Sequence, residues 1–339
     1  MKTAVVILNF NGENLLRQYL PSVITHTQST DCEIIVADNH SSDNSLKVLA
    51  EMFPQVRVIT LDQNYGFAQG YNLALQQINS DYFILCNNDI ELRSDAVSPL
   101  INLLESNPKA AAAMPKIKSL RNPEMFEYAG AAGGFIDRYG YPFCRGRILD
   151  NVEQDHGQYN SVKNNQIFWA TGAFMAIKAN VFKEMGGFDS SFFAHMEEID
   201  LCWRIKNTGL DILYCPESEV FHLGGATLKQ GSPQKLYLNY RNCLKMMYKN
   251  LPPKRLIPTI WFRMILDGAS SAVYLCQLQI KNFFAVLKAH LAFYAALPKL
   301  IKERKRLKKT ATQYYHNEIF NGSIVYRNKI KKQKIFFEF

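Results

Sequence analysis

The 339 residues are 47% hydrophobic and carry 39 Lys+Arg against 30 Asp+Glu, a balance that suits a globular chain with a sizeable core and argues against disorder. Seven cysteines, odd in number and without a C-x-x-C pair, argue against a disulfide framework or a zinc site and fit a reducing compartment such as the cytosol. The apolar run TAVVIL is too short for a secretory signal, and no stretch offers about 20 uninterrupted apolar residues, so neither secretion nor a spanning anchor is expected. Charge is divided unevenly. Residues 240–339 hold 20 Lys+Arg against 4 Asp+Glu, whereas residues 1–239 are net negative. This predicts an acidic region suited to a metal at 1–239 and a basic region at 240–339 that meets something anionic.

In chain order, TAVVILNF, EIIVAD, VRVITL and YFILCN read as buried strands. Between them, the spacing of Leu15, Leu16, Tyr19, Leu20, Val23 and Ile24 predicts an amphipathic helix. Ser41, Ser42 and Asp43 supply caps for a second helix holding Leu46, Leu49 and Phe53, and a third helical period runs from Ala68 to Ile78. This βαβαβαβ order predicts an α/β fold with right-handed crossovers and a ligand crevice beyond the carboxyl ends of the strands. The loop NYGFAQGYN, 64–72, has small residues that let a backbone approach a phosphate or base, or that serve helix entry alone. The first strand leads into NFNGEN, which is neither G-x-G-x-x-G nor a P-loop, so classical dehydrogenases and P-loop ATPases are set aside. Residues 120–165 show little periodicity and read as a loop; residues 196–208 predict a helix whose first-turn acids are kept ionised by the macrodipole.

Three acidic clusters come in order: ADNHSSD at 37–43, LCNNDIE at 85–91 and HMEEIDLCWR at 195–204, followed by FHLGG at 221–225. Asp38 and Asp89 each end an apolar run, so both are expected to face one crevice. Taken singly, each is equally a turn residue, and Asn87, Asn88 and Asp89 suit an Asx turn. His222 reads either as a ligand or as a core histidine, with His195 as the other candidate. The acids at 197–200 either cap a helix, with Asp200 pairing Arg204 at i,i+4, or accept a proton from a reacting hydroxyl.

Together VVILNFNG, VADNHSSD, NYGFAQGYN, the NND at 87–89, TGAFMAIKANVFKEMGGFD and EEIDLCWR resemble family 2 glycosyltransferases of the GT-A fold, in particular their bacterial rhamnosyltransferase-like branch. The resemblance implies a Rossmann-like mixed sheet flanked by helices. It also implies inverting transfer of a sugar from a nucleotide-diphospho-sugar donor, with Mg²⁺ or Mn²⁺, to a hydroxyl of a glycan or lipid-linked glycan acceptor. By the same resemblance Asn9, Gly12, Asp38, Asn64, Gly66, Asn72 and Asn88 border the donor nucleotide, Asp38 gripping the pyrimidine and ribose. Asp89 matches the last acid of the D-x-D motif, the metal ligand, with Asn87 in place of the first Asp, and His222 matches a later His that reaches the metal or diphosphate. Aligning E-D-x-D-L-x-x-R on EEIDLCWR puts the catalytic base at Glu198, a Glu where the family has Asp, with Glu197 as the alternative and Asp200 and Arg204 as structural residues. Trp169, Thr171 and Gly172 fall in a segment beside the donor and acceptor sugars, where Trp169 reads equally as an aromatic face for a sugar or as a core residue, and 120–165 becomes an acceptor-facing loop.

In the basic region, LIPTIWFRMIL and FFAVLKAHLAFYAAL are apolar segments interrupted by Arg263, Asp267, Lys288 and His290, and KLIKERKRLKK at 299–309 follows. They read as amphipathic helices on an anionic membrane surface, each basic residue contributing about 1 kcal/mol, or as ordinary core helices with a solvated face. The same charge attracts nucleic acid, but that leaves the acidic clusters without a purpose, so no nucleic-acid partner is expected. A nucleotidylyltransferase is set aside because NFNGEN is not a Gly-rich loop ending in basic residues. The expected protein is a cytoplasmic enzyme, peripheral on the inner face of a bacterial plasma membrane, that builds surface polysaccharide. Its first donor is dTDP-rhamnose and its second a UDP-sugar. The alternative is a noncatalytic membrane-associated assembly protein on a degenerate transferase fold, which Asn87 and Glu198 make conceivable.

Overall fold

A computed structural model describes residues 2–27, 31–162, 165–224 and 231–336; Gly225 of the FHLGG run lies outside them. The amino-terminal half opens with β1 (Thr3–Asn9), α1 (Glu13–Thr27), β2 (Cys32–Asp38), α2 (Ser45–Met52), β3 (Arg57–Thr60), α3 (Gly66–Leu75) and β4 (Tyr82–Asn87). These strands are the apolar runs of the sequence, and they pair in parallel in the order β3–β2–β1–β4. Successive strands step outward from β1 to β3, and the chain then returns to the other side of β1. That reversal makes the topological switch point at which α/β sheets open a crevice. The register sets Asn9 opposite Asp38 and Leu8 opposite Asn87, so the ends of three strands line one edge.

Next come β5 (Ile90–Glu91), α4 (Val97–Ser106) and β6 (Ala110–Ser119), then β7 (Gly134–Asp137), β8 (Pro142–Cys144), β9 (Arg147–Ile148) and β10 (Asn151–Val152). The last four form an antiparallel sheet where the sequence reads as a loop. Runs of two to four residues are too short to show a period of two. β11 (Gln166–Ile167), β12 (Phe174–Lys178), α5 (Ala179–Glu184), α6 (Glu197–Asn207) and β13 (Asp211–His222) complete the main sheet. β12 lies antiparallel between β4 and β6, so the sheet is mixed, and β13 pairs with both β6 and β5.

The expected division at 239/240 falls inside α7 (Pro233–Asn250). Lys249 of this helix is 2.9 Å from Asp200 in α6 and 2.7 Å from Asp189, and Asn250 donates to the other oxygen of Asp200 at 2.9 Å. α8 (Leu256–Cys276) and α9 (Ile280–Leu307) then pack on one another across a short turn. By length and composition α9 is apolar enough to cross a membrane, contrary to the sequence expectation, which counted only uninterrupted apolar runs. One face of α9, with Ala285, Val286, Ala289 and Phe293, is nevertheless buried in the protein. Arg304, inside the basic run, is buried and donates to the carbonyls of Tyr248, Lys249 and Leu251, closing the carboxyl end of α7. β14 (Ile319–Phe320) returns to pair in parallel with β7, and α10 (Ile324–Lys329) follows, its first N–H donating to Asp137 at 3.0 Å. The carboxy-terminal third is thus built into the body that carries the site.

Candidate active site

At the carboxyl ends of β1 and β2, polar groups are buried and fully engaged with one another. The Asn9 amide donates to Asp38 Oδ1 at 3.1 Å and to Ser41 Oγ at 3.3 Å, and its oxygen accepts from Asn88 Nδ2 at 2.9 Å. Asp38 Oδ2 accepts from the Ser41 backbone N–H at 2.9 Å. A Cβ on Gly12 would collide with the Asn9–Asn88 pair, so only glycine leaves it in place. Asn39 carries an equal share of this edge: its amide donates to Asn64 Oδ1 (3.1 Å) and the Gly66 carbonyl (3.0 Å), and its oxygen accepts from the Tyr65 N–H (3.0 Å). It lashes the glycine loop to the end of β2. Its only sequence signal is its place beside Asp38 in ADNHSSD.

The second cluster meets the end of β13. His222 pairs with Ile90 across the strands, which puts its Nε2 3.0 Å from Asp89 Oδ1 and 3.4 Å from Asn87 Nδ2. On its other side Nδ1 is 3.4 Å from Glu127 Oε2. Burial opposes charge on both partners, yet their contact prevails: Asp89 is held below the usual carboxylate range, and Asp89 with Glu127 lifts His222 to about 10. Glu127 lies outside any motif and had no signal in the sequence. A carboxylate–imidazole pair backed by a second carboxylate is the arrangement in which an outer group orients a ligating histidine. Asp89 offers the hard oxygen that a divalent cation takes, whereas His222 offers a lone pair only once it gives up its proton, and among the described residues no cluster of three or more His, Cys, Asp or Glu is placed to hold a metal.

The third cluster opens α6. Glu197 and Glu198 each keep one carboxylate oxygen, Oε2, inaccessible to solvent and without a hydrogen-bond partner among the described residues. Burial and the neighbouring Glu198 charge drive the Glu197 carboxyl well up, and burial raises Glu198 to about 7. The macrodipole was expected to keep these acids ionised; helix-terminal N–H groups do favour the charge on Glu198, but the loss of solvent outweighs them. His195 is held at about 4, first by burial and then by Lys235, and is a neutral imidazole at neutral pH. The turn leading into the helix is strained, with φ of 67° at Phe193, 69° at His195 and 71° at Met196. Positive φ at residues with a side chain costs on the order of 1–3 kcal/mol each and gathers at functional sites.

Gly172 and Ala173 join the last two clusters. The Ala173 carbonyl accepts from the Asn87 N–H at 2.9 Å, and a Cβ on Gly172 would lie 2.9 Å from the Phe67 ring and 3.9 Å from Glu198 Cβ. Three of the expected site residues have side chains engaged inside the protein. Trp169 is not a sugar-stacking face: its ring lies against Gly134 and its N–H donates to the Phe135 carbonyl at 2.9 Å. Thr171 is buried, and its hydroxyl accepts from the Ala173 N–H at 3.2 Å. Both ends of the Asn72 amide are taken by the backbone of Phe188, at 2.8 and 2.9 Å, so it is a clamp between α3 and the segment before α6. Asp200 and Arg204 form the buried structural pair expected of them, 2.9 Å apart, with Arg204 also holding the Met185 and Gly187 carbonyls.

A sequence profile described as glycosyl transferase family 2 matches residues 4–186. The chain is 24% identical over 236 residues to the N-acetylglucosaminyl-diphospho-decaprenol L-rhamnosyltransferase of Mycobacterium tuberculosis, covering 64% of this chain and 75% of that protein. It is 22% identical over 225 residues to the rhamnosyltransferase WbbL of Escherichia coli K12, covering 64% of this chain and 82% of that one. Among solved structures it resembles GalNAc-T7 with UDP, GalNAc and Mn²⁺, with a TM-score of 0.58 and 19% identity over 74% of this chain, and spans 48% of that protein. That likeness shows a GT-A-like fold. The profile covers more than half of the chain and takes in the strand ends that carry Asn9, Asp38 and Asp89, and on that ground the chain belongs to glycosyl transferase family 2.

Proposed function

We propose that this glycosyltransferase is a metal-dependent, inverting enzyme that moves L-rhamnose from dTDP-rhamnose, or failing that a hexose from a UDP-sugar, to a hydroxyl of a lipid-linked or growing surface glycan. The observation that carries the reaction type is the Glu198 carboxyl, raised to about 7 with a free oxygen and linked through Gly172–Ala173 to the Asp89 segment. A general base works best when its pKa lies near the working pH. Glu197 is driven well up by burial and then by the Glu198 charge, which favours Glu198 as the base. The relatives named above as rhamnosyltransferases support the donor, and the mycobacterial enzyme's name supports a lipid-diphosphate-linked acceptor.

Asp89 and His222 would hold Mn²⁺ or Mg²⁺, which when bound offsets the charge gathering on the leaving diphosphate. Asn9, Asp38 and Asn88 shape the edge that takes the nucleotide. Glu198 accepts the proton of the acceptor hydroxyl as that oxygen forms its bond to the anomeric carbon. The bond from that carbon to the diphosphate oxygen breaks, its electron pair leaving with the nucleotide. Attack from the opposite face inverts configuration.

The acceptor's lipid implies a membrane at the inner face of the cell envelope, and the surface of the carboxy-terminal helices supports this. α8 exposes Ile257, Trp261 and Ile265 at intervals of four, and α9 exposes Phe284, Leu287 and Leu291. Lys281 and Lys288 lie on α9, and Lys254 and Arg255 precede α8, a composition suited to anionic headgroups. The deciding experiment is calorimetric titration with dTDP and with UDP, each with and without Mn²⁺. Metal-dependent binding of one nucleotide is the expected result. Binding of neither by folded protein would replace this reading with that of a noncatalytic assembly protein.

A further inference from the structure

We propose that Asn242, at the middle of α7, is a positioning residue that holds the strained Phe193–Met196 turn and thereby sets the carboxylate of the base. The inference rests on the reading of Glu198, or its neighbour Glu197, as that base.

Asn242 is fully buried, and its single amide nitrogen reaches three carbonyls: Phe192 at 3.1 Å, Ala194 at 2.9 Å and His195 at 2.8 Å. Its oxygen is fixed in turn by Arg241 Nε at 2.9 Å, and the Arg241 guanidinium also donates to the Ser191 and Phe192 carbonyls at 3.2 and 2.9 Å. A neutral amide is required, because a carboxylate would face three carbonyl oxygens and an aliphatic side chain would take the side-chain donor from Ala194 and His195, leaving only the Phe192 carbonyl with Arg241.

The turn it holds cannot hold itself. Three of its four residues sit at positive φ with side chains present, and none of the four is glycine. Such strain persists only where the surroundings over-determine it. The turn also acts on its far side: the Phe193 carbonyl accepts from the N–H groups of Phe67 and Ala68, at 2.8 and 3.3 Å, at the start of α3. The Phe193 ring fills the space that a Cβ on Gly66 would need. One clamped turn therefore fixes both the carboxylates that follow it and the glycine loop beside the nucleotide edge. A displacement of about 1 Å in such a group is enough to cost about a hundredfold in rate.

Asn242→Ala in the full chain is the test, with turnover, metal-dependent nucleotide binding and amide hydrogen exchange measured on the same preparation. The expected result is a fall in kcat of about a hundredfold. Nucleotide affinity should fall by less than about tenfold, because the Asn9–Asp38–Asn88 group is untouched and only the adjoining glycine loop is loosened. Exchange should quicken at the Phe67 and Ala68 amides and stay unchanged at the Leu16 amide in α1. Met196→Gly in the same background should restore part of kcat, since glycine adopts that φ freely. Should Asn242→Ala fail to fold, Asn242→Gln, which keeps the amide but displaces it, is held to the same outcomes. Unchanged exchange at Phe67 and Ala68, or quickened exchange with undiminished kcat per folded molecule, overturns the proposal. Absence of turnover in the wild type with every donor overturns the transfer reading instead and leaves the exchange result to judge the clamp alone.

Discussion

Replacing Glu198 by Gln removes a charge that the fold tolerates poorly. The free carboxyl titrates near 4.5 and the folded one at about 7, so the native state binds a proton more tightly than the unfolded chain. Stability from this group is therefore fully present below pH 4.5 and is lost as pH rises through 7. The gap corresponds to about 3 kcal/mol once both states are ionised. The neutral amide of Glu198→Gln carries no such penalty, so the variant should be more stable than wild type at pH 8.5 by up to about 3 kcal/mol. For a chain of this length that is about 4 °C in the melting midpoint. The advantage should shrink to under about 1 kcal/mol by pH 5. Turnover should fall by about 10² to 10⁴, the usual worth of a general base, and wild-type kcat/KM should climb with pH up to about 7 and then level. Thermal melts of both proteins at pH 5 and 8.5, with transfer assayed across the range, check all of this. A variant no more stable than wild type at pH 8.5 refutes the burial argument, and a fully active variant moves the base to Glu197.

Gly12→Ala should weaken nucleotide binding by about tenfold or more, read by calorimetry, because its methyl group displaces the Asn9–Asn88 pair; unchanged affinity would mean that this pair does not face the nucleotide. Trp169→Phe should cost about 1 kcal/mol in urea unfolding by removing the hydrogen bond to the Phe135 carbonyl, with acceptor KM unaltered; a raised KM would return Trp169 to the sugar site. Wild type should sediment with vesicles rich in anionic phospholipid and lose binding in high salt, while a Trp261→Ser, Ile265→Ser double variant should bind several-fold more weakly. Equal binding to neutral and anionic vesicles would contradict the charge-led docking.

The first seven elements were legible because each strand is a continuous apolar run and each crossover helix shows a clear period, and strand ends are where α/β sites form. The small antiparallel sheet was illegible for a physical reason: its strands are two to four residues long, and its closing strand, β14, comes from nearly two hundred residues later in the chain. At the site, motif position singles out Asn9, Asp38, Asp89 and Glu198 but not the direction in which a side chain points. Trp169, Thr171 and Asn72 stand where the motif puts them and turn inward. Glu127 and Asn242 act through space, from segments whose local sequence carries no pattern. Charge asymmetry marked the basic region correctly as a composition, yet it could not reveal that Lys249 and Arg304 are spent inside the protein.

α7 also decides where this chain can be recombined. A chimera joined at 239/240 would graft a foreign helix onto the Asp200 pair and the turn before Glu197, mismatching Arg241, Asn242, Lys249 and Asn250 together. A junction in the short segment after Leu251, before α8 begins, leaves those four with their partners but exchanges Arg304, which closes the end of α7, and β14, which pairs with β7. Either seam therefore cuts packed contacts, and the one beyond the end of α7 spares the turn before Glu197, whereas the one at the change in composition does not.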